Sequence, residues 1–522
     1  MKKVLVIGLD GVSPELLFDS WIKDLPNLKK IYDNGAISNL KSAFPPVTAP
    51  AWVSFATGKN PGKHGIFDFI YLGKSMDDIK TVSSSDIKVK TYYEILNENG
   101  RKNIIINMPL SHPPKTDDII MTNFLAKSNK NVFPESLINE IPELKEYRPL
   151  HNLDLGIKNF DEFIADISDV EEKRFICAKK LFYRPWDTFF VLFESTDFLH
   201  HHKYRDMLKR KDNSILNFYK KIDSYIGWFM ENMDKNTTLI IMSDHGFKTI
   251  EGVILVNNIL RKKGFIKLSE DKKHNYYTNP FTESYGELKK NLPKFYIDSF
   301  YDKLTKVPVL FKIAKNIARS FNNLLFRLEL KNKVNRAESI AFLPAFSGYI
   351  YLNKRERFND GKVSLNEYED VLNNIKSYLE SLKDDKQRPL FKKIYKKNEM
   401  YKGPMVKYAP DLLFISDDYH FDTFPHGALN VKKVQGSTHA DTGIFMAYGN
   451  DIANKKNIKC ISIMDIAPTI LFIMNCPIPD DVDGRILKEI FKSESTLYKA
   501  KIRYTKDSEQ EMIKKTVASI KI

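Results

Sequence analysis

The segment Phe44-Pro-Pro-Val-Thr-Ala-Pro-Ala-Trp52 holds one threonine, Thr48, at the centre of a proline-rich turn. Upstream, the continuous apolar run Val4-Leu-Val-Ile-Gly-Leu9 is typical of a strand buried on both faces, and it ends at Asp10. Beyond this strand, Ser13 is predicted to cap a helix, and residues 52–57 predict the first turns of another. A carboxylate at a strand end and a hydroxyl in a later turn are the first candidate site residues.

The segments downstream of this turn alternate between strand and helix patterns. Residues 102–107, 188–193 and 237–242 are short apolar runs typical of buried strands, and residues 215–226 show helical spacing. This alternation predicts an α/β fold, with a mostly parallel central sheet and helices on both faces. Ligands of such sheets bind beyond the carboxyl ends of the strands.

Side chains that bind metals follow two of these strands in pairs. Asp197 and His201 are four residues apart, so a helix would present both on one face. Asp244 and His245 are adjacent at a strand end, where the turn at Gly246 can direct both into one pocket. Oxygen and nitrogen ligands without a thiolate suit zinc, manganese or iron, and zinc is the preferred prediction.

One such pair alone is weak evidence for a metal site, because an aspartate beside a histidine is common on protein surfaces. The run His200-His201-His202 is by itself also compatible with a solvated cluster. The joint occurrence of these pairs and Asp10 at three strand ends, with the Thr48 hydroxyl, favours a functional site. The pattern predicts a site for two divalent metal ions with Thr48 as the nucleophile, and hence an enzyme that cleaves phosphoesters.

Composition limits the class of protein further. The 522 residues carry a net charge of +15, and the basic residues do not gather into one tail, so no specific nucleic-acid binding is predicted. The three cysteines have no C-x-x-C spacing, which argues against a disulfide framework or a thiolate zinc site. No secretory signal or membrane span is recognised, and a cytoplasmic location is predicted.

The sequence pattern changes from about residue 266. We predict a first part of the catalytic core over 1–265, a helical insert over 266–345, a second part of the core over 346–490, and a peripheral tail over 491–522. Strand patterns at 348–353, 411–415 and 443–448 indicate that the chain returns to the sheet after the insert.

Within the insert, residues 307–330 form a basic segment with helical spacing of apolar residues. A cap helix over the active site is the favoured interpretation of this segment. A helix that makes peripheral membrane contact and a partner-binding element are the alternatives. The oligomeric state is not predicted.

Two motifs carry a resemblance to a known family. Thr48-Ala-Pro50 matches its T-x-P turn, and Thr57-Gly-Lys-Asn-Pro-Gly-Lys-His-Gly-Ile66 matches its T-G-x-x-P-x-x-H-G-I element. The chain thus resembles the alkaline phosphatase superfamily, in particular the type I phosphodiesterases and nucleotide pyrophosphatases, over about 1–250 and 346–487. The resemblance implies that one metal ion is held by Asp10, Thr48, Asp244 and His245, and the other by Asp197, His201 and His439. His439 is placed by the segment Gly436-Ser-Thr-His-Ala-Asp.

The chain departs from the family pattern at Ala51. Many nucleotide pyrophosphatases have an asparagine there, whose amide helps to hold the phosphoryl oxygen, and this contact is not carried over. The resemblance implies attack by the Thr48 hydroxyl on a small phosphorylated substrate, a phosphothreonine intermediate, and hydrolysis of that intermediate by water.

Other enzyme classes fit the turn around Thr48 less well. A sulfatase would need Cys or Ser and a nearby Arg where this chain has Thr48 and Trp52, and phosphoglycerate mutase relatives use a serine. A phosphoethanolamine-type phosphotransferase and a non-catalytic, metal-stabilised binding protein remain the alternatives. Diester, monoester and phosphonate substrates are all compatible with the predicted site.

Overall fold

The computed structural model describes residues 1–76, 78–126, 130–152, 155, 159–210, 213–268, 334–345, 348–423 and 430–505. Most of the predicted insert, including the segment 307–330, lies outside the described residues, and so does the end of the tail. The interpretations of that segment and the division into four domains stay predictions.

The centre of the fold is a mostly parallel sheet, as the alternation of strands and helices predicts. Lys3–Leu9 lies in the middle and pairs in parallel with Thr188–Phe193 on one side and Thr237–Met242 on the other. Thr442–Tyr448 and Val132–Phe133 are the antiparallel members. In spatial order the strands are Lys456–Asn457, Ala36–Lys41, Thr442–Tyr448, Thr237–Met242, Lys3–Leu9, Thr188–Phe193, Asn103–Met108, Ile119–Thr122 and Val132–Phe133, and Ile461–Ser462 also pairs with Ala36–Lys41.

Strand residues alternate between two hydrophobic layers, one on each face of this sheet. On the central strand, Leu5, Ile7 and Leu9 point into one layer, whereas Val4 and Val6 point into the other. This alternation follows from the period of two of an extended chain. Because both faces are buried under helices, the strand reads as a continuous apolar run.

Helices cover both faces of the sheet. The α-helices are Pro26–Asn34, Thr48–Thr57, Pro61–His64, Tyr92–Glu98, Leu137–Glu140, Phe160–Phe182, Ser195–Leu208, Asn213–Asn232, Val256–Lys262, Tyr368–Glu380, Lys397–Met400, Ile466–Ile473 and Thr496–Lys499. Glu15–Trp21 is a π-helix, and short 3-10 helices span Ile22–Asp24, Ser84–Asp86, Pro142–Glu146, Pro404–Tyr408, Ile463–Asp465 and Lys488–Ile490. None of the helices in the described ranges is long and apolar enough to cross a membrane.

Smaller sheets lie beside the main one. Tyr419–Asp422, Gly246–Leu255 and Val431–Ala440 form a three-stranded sheet. A four-stranded sheet consists of Ala341–Phe342, Tyr349–Leu352, Leu412–Ile415 and Lys393–Lys396, and two-stranded pairs are Ile70–Leu72 with Ile79–Thr81 and Ile478–Pro479 with Tyr504–Thr505. Of the three strands predicted after the insert, only Thr442–Tyr448 returns to the main sheet; the other two belong to the four-stranded sheet with its own hydrophobic cluster.

Two local predictions near the site are wrong in detail. Ser13 does not cap a helix; its hydroxyl lies 2.5 Å from the Tyr204 hydroxyl, and the π-helix begins at Glu15 after Pro14. The second predicted helix begins earlier than the pattern indicates, because Thr48 is already its first residue. The local sequence misleads here, since Pro50 lies in the first turn, where proline is tolerated.

Candidate metal centre

Sheet topology brings the predicted site residues to one edge. Leu9 is in register with Phe193, and Gly8 with Met242, so three neighbouring parallel strands end at the same level. Asp10 therefore leaves its strand next to the ends of both neighbouring strands. Its backbone N–H donates to the carbonyl of Phe193 at 3.3 Å.

The helix Thr48–Thr57 packs against this edge and carries the threonine. The indole N–H of Trp52 donates to Asp10 Oδ2 at 3.0 Å, which ties the helix to the first carboxylate. Thr48 is 8% exposed, and its Oγ1 lies 3.5 Å from Nε2 of His245. The hydroxyl thus faces the centre from the first turn of its helix.

Asp244 and His245 follow the neighbouring strand and are fully buried. Nε2 of His245 lies 3.3 Å from Asp244 Oδ2 and 3.6 Å from Asp10 Oδ1. His245 Nδ1 lies 3.2 Å from the carbonyl of Gly246, which assigns the ring proton to Nδ1. The lone pair of Nε2 is then directed at the two carboxylates and at Thr48, as a metal ligand requires.

Asp197, His201 and His439 form the other half of the centre. Asp197 and His201 lie one turn apart on the helix Ser195–Leu208, with His201 Nε2 3.4 Å from Asp197 Oδ2. His439 comes from the strand Val431–Ala440, and its Nε2 lies 3.4 Å from Asp197 Oδ1 and 3.0 Å from His201 Nε2. Its Nδ1 donates to the Pro46 carbonyl at 2.9 Å, again leaving Nε2 for the centre.

The donor set fits metal ions. Three buried carboxylate oxygens, Asp10 Oδ1, Asp197 Oδ1 and Asp244 Oδ2, have no hydrogen-bond partner in the described part of the chain. Such orphaned acceptors are costly unless a cation compensates them. Two groups have ligand atoms within 4.8 Å of one another: Asp197 with His201 and His439, and Asp10 with Asp197 and His245. Asp197 thus lies within reach of both groups, whereas the resemblance assigns it to one ion only.

The electrostatics show crowding of like charges. Burial, together with the charges of Asp244 and Asp197, raises the pKa of Asp10 well above its usual range. Burial and the charge of Asp197 raise the pKa of Asp244 to about 7. Burial also raises the pKa of Asp197, but His201 and His439 outweigh this and hold its pKa well below the usual range. A divalent ion would relieve the repulsion among the three carboxylates.

The three consecutive histidines have three different roles. His201 faces the centre, whereas His200 is fully buried with Nδ1 2.9 Å from the Gly11 carbonyl and Nε2 2.6 Å from the Tyr219 hydroxyl. The ring of His202 packs edge-on against Phe163 at 5.0 Å. Burial lowers the pKa of His200 to about 4, so this ring is a neutral structural residue.

Sequence reasoning missed residues that support the centre. The Phe247 ring lies edge-on to His201 at 4.9 Å and to His439 at 5.0 Å, and it limits the orientations of both rings. Trp52 lies where a sulfatase would have an arginine and at the start of a predicted helix, but neither pattern shows that it holds Asp10. The position of Phe247 directly after Asp244-His245-Gly246 was the only signal for its role.

Comparisons with known proteins agree with this fold. The family model of the type I phosphodiesterases/nucleotide pyrophosphatases matches residues 4–428. Murine ectonucleotide pyrophosphatase/phosphodiesterase 5 has a similar structure, with 13% identity, coverage of 94% of this chain and 100% of that chain, and a TM-score of 0.50. The human protein gives the same identity of 13% and the same coverage of 94% and 100%, with a TM-score of 0.52. No curated protein matches the chain.

A further solved structure is an inactive threonine-to-alanine variant of the murine protein in complex with AMP. It shares 13% identity with this chain, covers 94% of this chain and 100% of its own, and has a TM-score of 0.51. At this identity the likeness shows the fold.

The parallel sheet with a carboxylate and histidine centre at its carboxyl edge defines an alkaline phosphatase-like protein. The family match extends over most of the chain. The chain therefore belongs to the type I phosphodiesterase/nucleotide pyrophosphatase family, a metal-dependent family of hydrolases that act on phosphoester bonds.

Proposed function

We propose that this protein is a phosphodiesterase that uses Thr48 as its nucleophile and passes through a phosphothreonine intermediate. The observation that carries the proposal is the position of the Thr48 hydroxyl, 3.5 Å from His245 Nε2 and at the edge of a centre with orphaned carboxylate oxygens. A buried hydroxyl in an ordinary helix turn would have no such surroundings.

Two divalent metal ions, preferably zinc, would be held by the two ligand sets. Asp10, Thr48, Asp244 and His245 would hold one ion, and Asp197, His201 and His439 the other. When bound, such ions lower the pKa of a coordinated hydroxyl and offset negative charge on the attacking and leaving oxygens. The hydrogen bonds of Trp52 to Asp10 and of His439 to Pro46 fix the orientation of two of these ligands.

The first turn of the helix Thr48–Thr57 supplies a second element. No side chain among the described residues caps this helix, so the N–H groups of Thr48 and Ala49 remain for phosphoryl oxygens. Ala51 cannot replace the family's asparagine, because its methyl side chain has no hydrogen-bond donor and its N–H donates to the Val47 carbonyl at 3.0 Å. We therefore assign phosphoryl binding to the helix terminus.

A nucleotide diester is the substrate class that the proposal favours. It is supported by the family and by the AMP complex of the murine protein, which has a similar fold. A monoesterase, a phosphotransferase and a non-catalytic binding protein are outcomes that the test must separate.

The test compares hydrolysis of bis-p-nitrophenyl phosphate, p-nitrophenyl phosphate and a dinucleotide, each in zinc and in manganese. The control for Thr48→Ala is Thr57→Ala, a buried hydroxyl on the same helix that donates to the Val53 carbonyl at 2.7 Å. We expect diester hydrolysis to fall by a factor of about a thousand or more in Thr48→Ala, the scale for loss of a nucleophile, and to persist in Thr57→Ala. Equal loss in both variants, turnover of monoesters alone, or no hydrolysis by the wild-type protein would overturn the proposal.

A further inference from the structure

A buried cluster of three charged side chains lies beneath the metal centre. Glu171, Arg174 and Glu194 are 1%, 0% and 4% exposed, and the guanidinium forms ion pairs with both carboxylates. None of the three is a predicted metal ligand. Charged side chains are almost never fully buried unless they are paired, so a cluster this deep in the fold requires an explanation.

The cluster is bonded to the start of the helix that carries Asp197 and His201. Glu171 Oε1 accepts the backbone N–H of Ser195, the first residue of this helix, at 2.9 Å. Arg174 is ion-paired to the same carboxylate and reaches Glu194 Oε1 at 3.2 Å. Glu194 is the residue directly before the helix, so two backbone positions there are fixed through one guanidinium.

Further bonds connect the same helix start to its neighbours. Asn123, at the end of the strand Ile119–Thr122, donates to Glu194 Oε2 at 2.6 Å. On the other side, the Thr196 hydroxyl donates to the Asp10 carbonyl at 2.6 Å. The first turn of the Asp197 helix is thus held between the buried cluster and the backbone of the other ligand set.

We infer that Glu171, Arg174 and Glu194 are positioning residues for the metal centre. The amide of Ser195 is the contact through which they set the position of Asp197 and His201. The charges stabilise the fold little, because the desolvation of a buried ion pair offsets most of its attraction. Their contribution is a fixed helix start, and partners that orient metal ligands typically change metal affinity by about 10- to 100-fold.

The inference rests on the proposed metal centre, but its test does not depend on turnover. The probe is zinc alone, titrated into metal-free full-length protein against a chromophoric chelator. If zinc binds but Thr48 proves not to be the nucleophile, the proposed reaction is wrong. The inference about the cluster is still tested by the zinc affinities of the variants.

Two substitutions of Glu171 separate the effect of its charge from the effect of its hydrogen bond to the Ser195 N–H. Glu171→Gln removes the charge but keeps an oxygen for the Ser195 N–H, whereas Glu171→Ala removes both. The matched control is Asp411→Asn, in which a fully buried carboxylate, paired with Lys354 and Lys397 at 2.7 and 2.9 Å, is neutralised in the four-stranded-sheet region. Thermal unfolding of all four proteins reports the loss of stability.

We expect Glu171→Ala to weaken zinc binding about 10- to 100-fold. Glu171→Gln should lose distinctly less affinity, and Asp411→Asn should bind like the wild type despite a lowered Tm. Equal weakening in both Glu171 variants would show that charge alone matters, and wild-type affinity in Glu171→Ala would show that the cluster does not position the ligands. If Asp411→Asn also weakens zinc binding, in proportion to its loss of Tm, the effect of Glu171→Ala would be explained by general loss of stability. Each of these three results would overturn the inference.

Discussion

The histidine of the T-G-x-x-P-x-x-H-G-I element has a structural role that can be tested through pH. His64 is fully buried; its Nδ1 accepts the Ile66 N–H at 3.1 Å, and its Nε2 donates to the Ser54 hydroxyl at 2.9 Å. A second proton would have to sit on Nδ1, directly facing another donor. Burial lowers the pKa of His64 from 6.5 to about 3.

The direction in which the free energy of unfolding changes with pH follows from proton uptake by the unfolded chain. Between these two pKa values the unfolded chain holds a proton on His64 and the native protein does not, so the free energy of unfolding falls as the pH is lowered. At pH 5 protonation of His64 in the unfolded chain lowers the free energy of unfolding by RT ln(1 + 10^1.5), or about 2 kcal/mol. At pH 7 it lowers the free energy of unfolding by about 0.2 kcal/mol. Above the unfolded pKa the ionisation of His64 contributes nothing.

The perturbation is His64→Gln, measured by urea unfolding of chelator-treated protein at pH 5 and pH 7 with matched m values. The variant should be less stable at pH 7 by about 2–3 kcal/mol, from lost hydrogen bonds and packing. The gap to the wild type should narrow by about 2 kcal/mol at pH 5. Other titrating groups are common to both proteins and cancel in the difference.

Ser54→Ala is the control, because it removes one of the same hydrogen bonds but keeps the imidazole. It should show the pH dependence of the wild type at a lower overall stability. If the gap between His64→Gln and the wild type is the same at both pH values, the assignment of His64 as a buried neutral residue is wrong.

Three further predictions concern residues that contact the metal ligands or the turn before Thr48. Trp52→Phe removes the 3.0 Å hydrogen bond to Asp10 and should lower metal affinity about 10-fold, measured by chelator competition. Gly11 has φ +71°, and an added Cβ would lie 2.7 Å from the Phe247 ring and 3.0 Å from Asp197 Oδ1; Gly11→Ala should lower the free energy of unfolding by at least about 1–2 kcal/mol. Tyr401→Phe removes a 2.9 Å bond to the Phe44 carbonyl before Thr48 and should lower kcat with metal affinity unchanged.

A specific result would contradict each of these three predictions. Wild-type metal affinity in Trp52→Phe would mean that the indole does not orient Asp10. An unchanged urea midpoint in Gly11→Ala would mean that the left-handed backbone is not required there. A parallel fall of kcat and metal affinity in Tyr401→Phe would place its effect on the whole centre rather than on the Thr48 turn.

The sequence predicts the central sheet well, because its strands are buried on both faces. The predicted limits of 188–193 and 237–242 agree with the observed strands, and Asp10 and Asp244 lie at strand ends as expected. The alternation of strands and helices was enough to predict the parallel arrangement. The family and the fold are confirmed by the family match and the structural likeness.

Other features depend on contacts that no local pattern shows. The strand Tyr349–Leu352 is as apolar as the central ones, yet it pairs in a separate sheet, since an apolar run does not specify its partner. The burial of Arg174 between two glutamates joins the helix Phe160–Phe182, which also carries Glu171, to Glu194 at the start of another helix. The roles of the seven predicted site residues remain predictions, although the structure brings all seven together at one edge of the sheet.

The most direct measurement of the central claim is the capture of the phosphoryl group on the protein. Zinc-loaded enzyme is mixed with excess diester, quenched in acid within one turnover and analysed by peptide mass spectrometry. The proposal predicts a phosphorylated peptide that contains Thr48, with a burst of leaving group that matches the amount of enzyme. Steady turnover without a burst or phosphothreonine, or a phosphoryl group on another residue, would contradict it.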